Sequence, residues 1–336
     1  METNNKLYKQ KWYSAIYVFM ILFLSFCVNS LYAEEYIRIC SFNIAEFGEG
    51  NHPKTRNIDS IAKMITDEKI DLLVIEEVGT KLEAEKQVEK LCEIMNTLTF
   101  GTESKYYPFI TPQSGDERCA VIFRDPIIME DDIMWLDEDL DPSNVRLGGQ
   151  TYYRIPVALG FRAGNFDFFI VILHLSWSDL ERRKGEFEGL KSFLEDGSDT
   201  EKDWIIMGDT NRYGKYSKNA AKSFDVLLSG NWKDVYRFPL LEAITEPDDM
   251  NVYRASEDKY STTISKNKDI YDQFIITKGA EKEFDTNNPK FGEDVGIIAF
   301  DMDHAYDSMA HNEIKYMISD HRPIWIQFRT DLADDD

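Results

Sequence analysis

"IDLLVIEEV", residues 70–78, is an unbroken apolar run closed by two acids. Its length and lack of alternation fit a strand buried on both faces, with Glu76 and Glu77 at its end. The same arrangement recurs along the 336-residue chain. "YIRICSFNI" alternates and stops at Asn43. "FDFFIVILHL" carries His174 near its end, and "DWIIMGD" (203–209) closes on Asp209, with Asn211 just beyond. "IYDQFIIT" (270–277) holds Asp272, and "RPIWIQF" (322–328) opens after Ser319, Asp320 and His321. "CAVIFR" (119–124) is a further strand, and "TYYRIPVALGF" pairs with "FDFFIVILHL" as a hairpin around Gly164-Asn165.

Helical spacing appears between the strands. Ile58, Ile61, Ala62 and Ile65 define a helix within 54–69, and Val88, Leu91, Cys92, Met95 and Leu98 a second. Residues 178–195 read as an amphipathic helix with Leu180, Phe187, Leu190 and Leu194 inward. The acid-rich stretch 129–144 reads as a solvated excursion. Residues 278–317, with His304 and His311, read as loop. There is no internal repeat and no Gly/Ser linker. Strands and helices in mixed order make this an α/β or α+β chain with one catalytic-size domain over 34–330, followed by an acidic, frayed tail, 331–336. Two packed sheets flanked by helices would use all the elements.

The first 33 residues read as a secretory signal: Lys6, Lys9 and Lys11, then an apolar stretch from Trp12 to Val28, then Ala33 as the last residue before cleavage. The alternative is an uncleaved anchor, for which the apolar run is short. Phe26 before Cys27 argues against a lipoprotein site. Export to the periplasm, the cell surface or the medium follows, with no stable membrane insertion after cleavage. The formal net charge of −23 repels nucleic acid and anionic membranes unless cations intervene. A divalent metal can invert that field locally. Cys40, Cys92 and Cys119 are too few and too odd in number for a disulfide framework; they leave room for one bridge and read more simply as buried thiols.

Each polar residue at a strand end has an ordinary explanation: Asn43 a turn, Asp209 a helix cap or Asx turn, His174 a satisfied core histidine, Ser319 and Asp320 a turn. Together they are harder to dismiss. Six strands each delivering a carboxylate, amide or imidazole to one rim make a site. Carboxylate and carbonyl oxygens are what a hard cation such as Mg2+ selects. Imidazoles beside them supply proton transfer near neutral pH.

The ordered set "SFNI", "LLVIEEV", "DERCAVIFR", "YRIPVALGF", "ILHLSWSD", "IIMGDTN", "YDQFIIT" and "ISDHRPI" resembles the endonuclease/exonuclease/phosphatase superfamily of the pancreatic deoxyribonuclease type, from about residue 36 to 328. The resemblance implies a four-layer αββα sandwich, two mixed β-sheets face to face with helices outside. It also implies roles. Asn43 and Glu77 would hold Mg2+ (or Mn2+ or Ca2+), with Asp320 a third acid near the metal. Asp209 would bind metal or activate water. Asn211 would orient the scissile phosphate, and Arg154 would contact a phosphate oxygen. His174 would pair with Glu117, and His321 with Asp272, each carboxylate fixing a tautomer and stabilising imidazolium.

What the resemblance implies is a metal-dependent phosphodiesterase, most simply a monomeric nuclease acting by in-line attack of an activated water. It leaves the ester open. In pancreatic deoxyribonuclease an Arg soon after the catalytic Glu and a Tyr before the dyad Glu reach into the minor groove; here Gly79 and Gly115 stand near those positions. Glu76 replaces a usual Gln, Thr210 a common Phe and Arg212 an Ala; Arg212 could bind a second phosphate. No Trp-Phe hairpin tip suited to a membrane is present, and Trp135 lies in an acidic run. The alternatives are an enzyme acting on a lipid or small phosphorylated substrate and a non-catalytic binding relative.

Overall fold

The structure is a computed structural model that describes residues 35–48, 56–102, 104–130, 146–147, 150–177, 179–197, 202–211, 236–246, 249–253, 260–264, 270–303 and 309–333. The signal segment 1–33, Trp135 with most of the 129–144 excursion, Arg212, His304 and the last three residues of the tail lie outside these. Tyr36–Asp336 forms one compact unit.

In chain order the strands are β1 (Tyr36–Phe47), β2 (Leu72–Val78), β3 (Tyr106–Ile110), β4 (Arg118–Arg124), β5 (Ile128–Met129), β6 (Arg146–Leu147), β7 (Gln150–Thr151), β8 (Val157–Ala163), β9 (Phe166–His174), β10 (Trp204–Asp209), β11 (Tyr236–Arg237), β12 (Thr245–Glu246), β13 (Asp249–Tyr253), β14 (Asp272–Thr277), β15 (Val295–Ile297) and β16 (Ile324–Arg329). The helices are α1 (Ile58–Asp67), α2 (Leu82–Leu98), α3 (Leu180–Gly197), α4 (Pro239–Ile244), α5 (Glu281–Phe284) and α6 (His311–Met317).

Two six-stranded sheets carry the fold, ordered β15-β16-β1-β2-β4-β3 and β11-β14-β10-β9-β8-β5. Each is mixed. β1 and β2 run parallel in the first, β9 and β10 in the second, and their other neighbours are antiparallel. β1 packs across on β10, β2 on β9, and β16 on β14. Alternation sorts each strand's side chains. Ile37 and Ile39 of β1 and Leu72 and Val74 of β2 join the core between the sheets. Cys40, Phe42 and Ile44, with Leu73 and Ile75, instead face Ile61 and Ile65 of α1 and Leu91 and Met95 of α2. Asn57 caps α1 by accepting the Ser60 N–H at 3.1 Å. Phe187, Leu190 and Leu194 of α3 bury with the second sheet, and Phe193 of α3 meets Trp204 edge-on at 5.4 Å. The result is a four-layer αββα sandwich.

Several elements depart from the sequence reading. β1 does not stop at Asn43. It runs on to Phe47 through an irregular stretch with Ala45 and Glu46 at φ 51° and 53°. β3, whose exposed middle hides its period, was not foreseen. Residues 278–317 are not a loop: they hold α5, β15 and α6, each too short to show periodicity. Asp320 and His321 do not open β16 directly, because Arg322 and Pro323 intervene. His321 instead bridges to Thr263. Cys40, Cys92 and Cys119 are free thiols. Among the described residues no helix is long and apolar enough to cross a membrane.

Candidate active site

Strand register builds the site. In the parallel pair β9/β10, Asp209 stands opposite His174; in the antiparallel pair β10/β14 it stands opposite Asp272. Three polar residues thus share one row at the mouth of the second sheet. Facing them, β1 and β2 set Asn43 opposite Glu76. Gly208 permits the close approach: at φ 129° a Cβ there would meet the Leu173 carbonyl oxygen at 2.0 Å.

A bulge makes Glu77 part of the site. Ile75 pairs with Ala120 and Val78 with Arg118, so Glu76 and Glu77 together oppose Cys119. Strict alternation would send Glu77 toward the helices with Ile75. The extra residue, with Glu77 itself at φ 56°, turns its carboxylate up to the rim. Glu76 keeps the inward direction of Val74 and lies fully buried between the sheets. There its Oε2 accepts the Asp209 N–H at 2.7 Å and its Oε1 the Ser41 hydroxyl at 2.8 Å.

These chains line a cleft of about 540 Å³ that includes Glu77, Arg154, His174, Asp209, Asn211, Asp320 and His321. His174 Nδ1 lies 2.6 Å from Glu117 Oε1, and His321 Nδ1 2.9 Å from Asp272 Oδ2. The free Nε2 atoms converge: His174 Nε2 is 3.9 Å and His321 Nε2 3.7 Å from Asp209 Oδ2. His174 Nε2 is also 3.8 Å from Glu77 Oε1. The Asn43 amide donates to Glu77 Oε1 at 2.9 Å and to Asp209 Oδ2 at 3.4 Å, while its own oxygen accepts the Ala45 N–H. Asn211 donates to the Leu175 carbonyl at 2.8 Å, and Asp209 Oδ1 accepts the Asn211 N–H at 2.7 Å. Ser319 ties the last segment to the site by donating to the Asn43 carbonyl at 2.7 Å and accepting the His321 N–H at 3.0 Å.

Glu117 reaches His174 because a turn, Ser114–Glu117, docks on the chain before β8. Gly115 sits at φ 64° with no room for a side chain, since a Cβ would lie 2.6 Å from the Tyr153 carbonyl oxygen. Glu117 Oε2 then holds Arg154 Nε at 2.9 Å, with Asp116 Oδ1 at 3.2 Å from the same nitrogen. Asp320 faces Lys315 of α6, Oδ2 to Nζ at 2.5 Å.

Burial and charge set the protonation states. Burial works against a charged His174, but the Glu117 carboxylate outweighs it, with Asp209 and Glu77 adding, and the ring is pushed up to about 9. His321 is likewise raised against its burial, chiefly by Asp272 and Asp209. Burial lifts Asp209 to about 6, less than it otherwise would because His321 is near. Glu77 is held below its ordinary value despite burial, by His174 and the Asn43 amide. Asp320 is also held low despite burial, by His321 and Lys315. Burial, with Asp272 nearby, pushes Glu76 up to about 8, so that it is largely neutral at pH 7.

Asn43, Glu77, Glu117, Arg154, His174, Asp209, Asn211, Asp272, Asp320 and His321, all named from the sequence, lie in or against this cleft; Arg212 lies outside the described residues. Two have partners other than those expected. Asp320 is joined to Lys315, and the Asn43 oxygen is taken by its own loop. Sequence reasoning missed Arg56, Trp177, Tyr271, Lys315 and Tyr316, which also line the cleft. Trp177 carried a signal, an aromatic in the polar turn three residues after His174. Lys315 and Tyr316, on an unforeseen helix, carried none.

No family model and no curated protein matches this chain. Solved structures do. An endonuclease/exonuclease/phosphatase family protein from Bacteroides thetaiotaomicron aligns over 88% of this chain and 98% of its own, with TM-score 0.54 and 14% identity. TDP2 from C. elegans aligns over 88% and 75%, with TM-score 0.53 and 13% identity. The human Nocturnin catalytic domain, solved with a bound sulfate anion, aligns over 88% and 94%, with TM-score 0.51 and 15% identity. The chain therefore has the endonuclease/exonuclease/phosphatase fold.

Proposed function

We propose that this protein is a divalent-metal-dependent phosphodiesterase of the endonuclease/exonuclease/phosphatase type, acting on a nucleotide phosphodiester. The observation that carries the reading is the pair of His–carboxylate dyads whose free Nε2 atoms both point at Asp209 Oδ2. A core histidine needs no such partner on each side.

The residues fit a hard cation in kind. Glu77 Oε1 and Asp209 Oδ2 are anionic oxygens close enough to share one donor, the Asn43 amide. Among the described residues no group of three or more His, Cys, Asp or Glu side chains is placed to hold an ion by itself. Glu77 and Asp209 would hold one through few protein ligands, as suits Mg2+ with its retained waters, while Asp320, paired with Lys315, lines the same cleft. When bound, the ion supplies Lewis-acid stabilisation of the charge on the phosphoryl oxygens.

The chain's own groups do the rest. Asp209, where it does not ligate the ion, takes the proton of the attacking water as its oxygen bonds to phosphorus. The imidazolium Nε2–H groups of His174 and His321 face the phosphoryl oxygens, and one of them protonates the leaving oxygen. Glu117 and Asp272 accept from the two Nδ1–H groups and hold the rings in that orientation. Arg154, fixed by Glu117 and Asp116, presents its outer nitrogens to a non-bridging oxygen.

The test is purified protein with Mg2+ or Mn2+, then with chelator, on single-stranded DNA, plasmid, RNA and a nitrophenyl phosphodiester. Metal-dependent turnover of a diester is expected. Turnover that persists in chelator, or none on any diester, overturns the reading. The proposal includes export, which rests on the basic, apolar, small-residue order of residues 1–33. Amino-terminal sequencing of the secreted protein, expected to begin just after Ala33, checks it.

A further inference from the structure

Arg154 lines the cleft, and its Nε lies between two carboxylates, Glu117 Oε2 at 2.9 Å and Asp116 Oδ1 at 3.2 Å. The other oxygen of each acid is also engaged. Glu117 Oε1 is 2.6 Å from His174 Nδ1, and Asp116 Oδ2 accepts the Tyr153 hydroxyl at 3.3 Å. The guanidinium carbon of Arg154 in turn lies over the Tyr153 ring, 5.1 Å from its centre. The side chains of Tyr153, Asp116, Arg154, Glu117 and His174 thus touch in series and end at an imidazole of the site. Their backbones are tied as well. Tyr153 N–H bonds to the buried Glu186 carboxylate, and the Ser114 hydroxyl donates to the Ile155 carbonyl at 3.2 Å.

Geometry explains the second acid. A guanidinium pairs best with a carboxylate through two parallel N–H bonds, one to each oxygen. Pairing of that kind with Glu117 would take Oε1 away from His174. With Asp116 as the second acceptor, Glu117 keeps one oxygen for each of its partners. A single hydrogen bond would also leave the guanidinium free to turn about it, whereas two acceptors and an aromatic face fix its plane. Burial works against the Arg154 charge, and Glu117, Asp116 and Glu77 outweigh it, in that order. Asp116 adds little to the stability of the fold, because its side chain is 58% exposed and exposed ion pairs are weak. Its effect falls on where the guanidinium points.

We propose, resting on the phosphodiesterase reading above, that Asp116 is a positioning residue for the reaction. Together with Tyr153 it aims the Arg154 guanidinium into the cleft, and it leaves Glu117 to His174. Asp116 itself makes no contact with the reacting phosphoryl group.

The experiment measures hydrolysis of a nitrophenyl phosphodiester with Mg2+ by wild type, Asp116→Ala, Asp116→Asn, Arg154→Ala and the Asp116→Ala/Arg154→Ala double variant. The Arg154 Nε–H proton, assigned by its loss in Arg154→Ala, is followed by NMR in the metal-free proteins. In Asp116→Ala, kcat/KM is expected to fall about ten-fold or more, through kcat more than KM, with melting unchanged. Asp116→Asn, which keeps an acceptor oxygen, is expected to recover most of that loss. With Arg154 already removed, Asp116→Ala should have no further effect. The Nε–H signal, held by two acceptors in wild type, should exchange faster with water in Asp116→Ala. Equal falls with and without Arg154, no fall at all, or an unchanged Nε–H signal overturns the positioning role. A wild type that hydrolyses no diester, with the Nε–H signal still altered by Asp116→Ala, overturns the hydrolase reading and keeps the clamp on Arg154. No hydrolysis together with an unchanged signal overturns both.

Discussion

Glu76→Gln tests the electrostatic description of the site without touching a reacting group. Burial raises the Glu76 carboxyl from its ordinary 4.5 to about 8. A carboxyl that holds its proton more tightly in the fold than in the unfolded chain stabilises nothing above its unfolded pKa. Unfolding then releases a proton, so stability falls as pH rises from 4.5 and levels off above 8. At about 1.4 kcal/mol per pKa unit, keeping Glu76 protonated costs about 3 kcal/mol at pH 7 and 4–5 kcal/mol at pH 9. Gln has the same shape and no such cost. Its oxygen can accept the Asp209 N–H, and its NH2 can donate to Ser41 Oγ, the two partners Glu76 already has. The assay is urea unfolding of metal-free wild type and Glu76→Gln at pH 5, 6, 7 and 8. The variant should be close to wild type at pH 5 and more stable by about 3 kcal/mol at pH 7. A difference of equal size at pH 5 and pH 8 would refute the reasoning, because it would mean Glu76 is ionised in the fold throughout.

Other consequences are as direct. His174→Ala and Asp209→Asn should each lower kcat by about 10²–10³-fold or more while circular dichroism stays native; wild-type turnover in either removes that residue from the mechanism. The His174 ring, raised to about 9, contributes stability fully present below its unfolded pKa near 6.5 and lost as pH rises through 9. Wild type should therefore lose up to about 3 kcal/mol across that window beyond what His174→Gln loses, as read from paired urea titrations. Gly115→Ala places a Cβ against the Tyr153 carbonyl at a positive φ. It should cost about 1–3 kcal/mol of stability and reduce activity by displacing Glu117, and unchanged melting would contradict the turn's role. Dialysis against chelator should abolish turnover, and Mg2+ or Mn2+ should restore it.

Much of this protein could be read from its chain. The apolar run 70–78, the hairpin around Gly164-Asn165 and the strands ending at His174 and Asp209 declare themselves because buried strands and amphipathic helices impose periods on sequence. The polar residues at their ends stand out against those periods, and the Asn43, Glu77, His174, Asp209 and His321 set follows. Elements of three to seven residues, such as α5, β15 and α6, leave too few repeats to show a period, so 278–317 looked like loop. The dyad partners of the two histidines came from the resemblance and not from any local signal of their own. Glu117 and Asp272 look like any surface acids until a glycine-bearing turn and a strand register set them against imidazoles. Only the bulge at Glu76 and Glu77 decides that one carboxylate is buried between the sheets and the other reaches the cleft. Lys315 and Trp177 join the site through packing of segments more than a hundred residues apart. Sequence records what each residue must avoid or seek locally, water or apolar neighbours, because that preference acts at every position. Which charges end up within 4 Å of one another depends on register and on how the two sheets close, and those are properties of the folded chain alone.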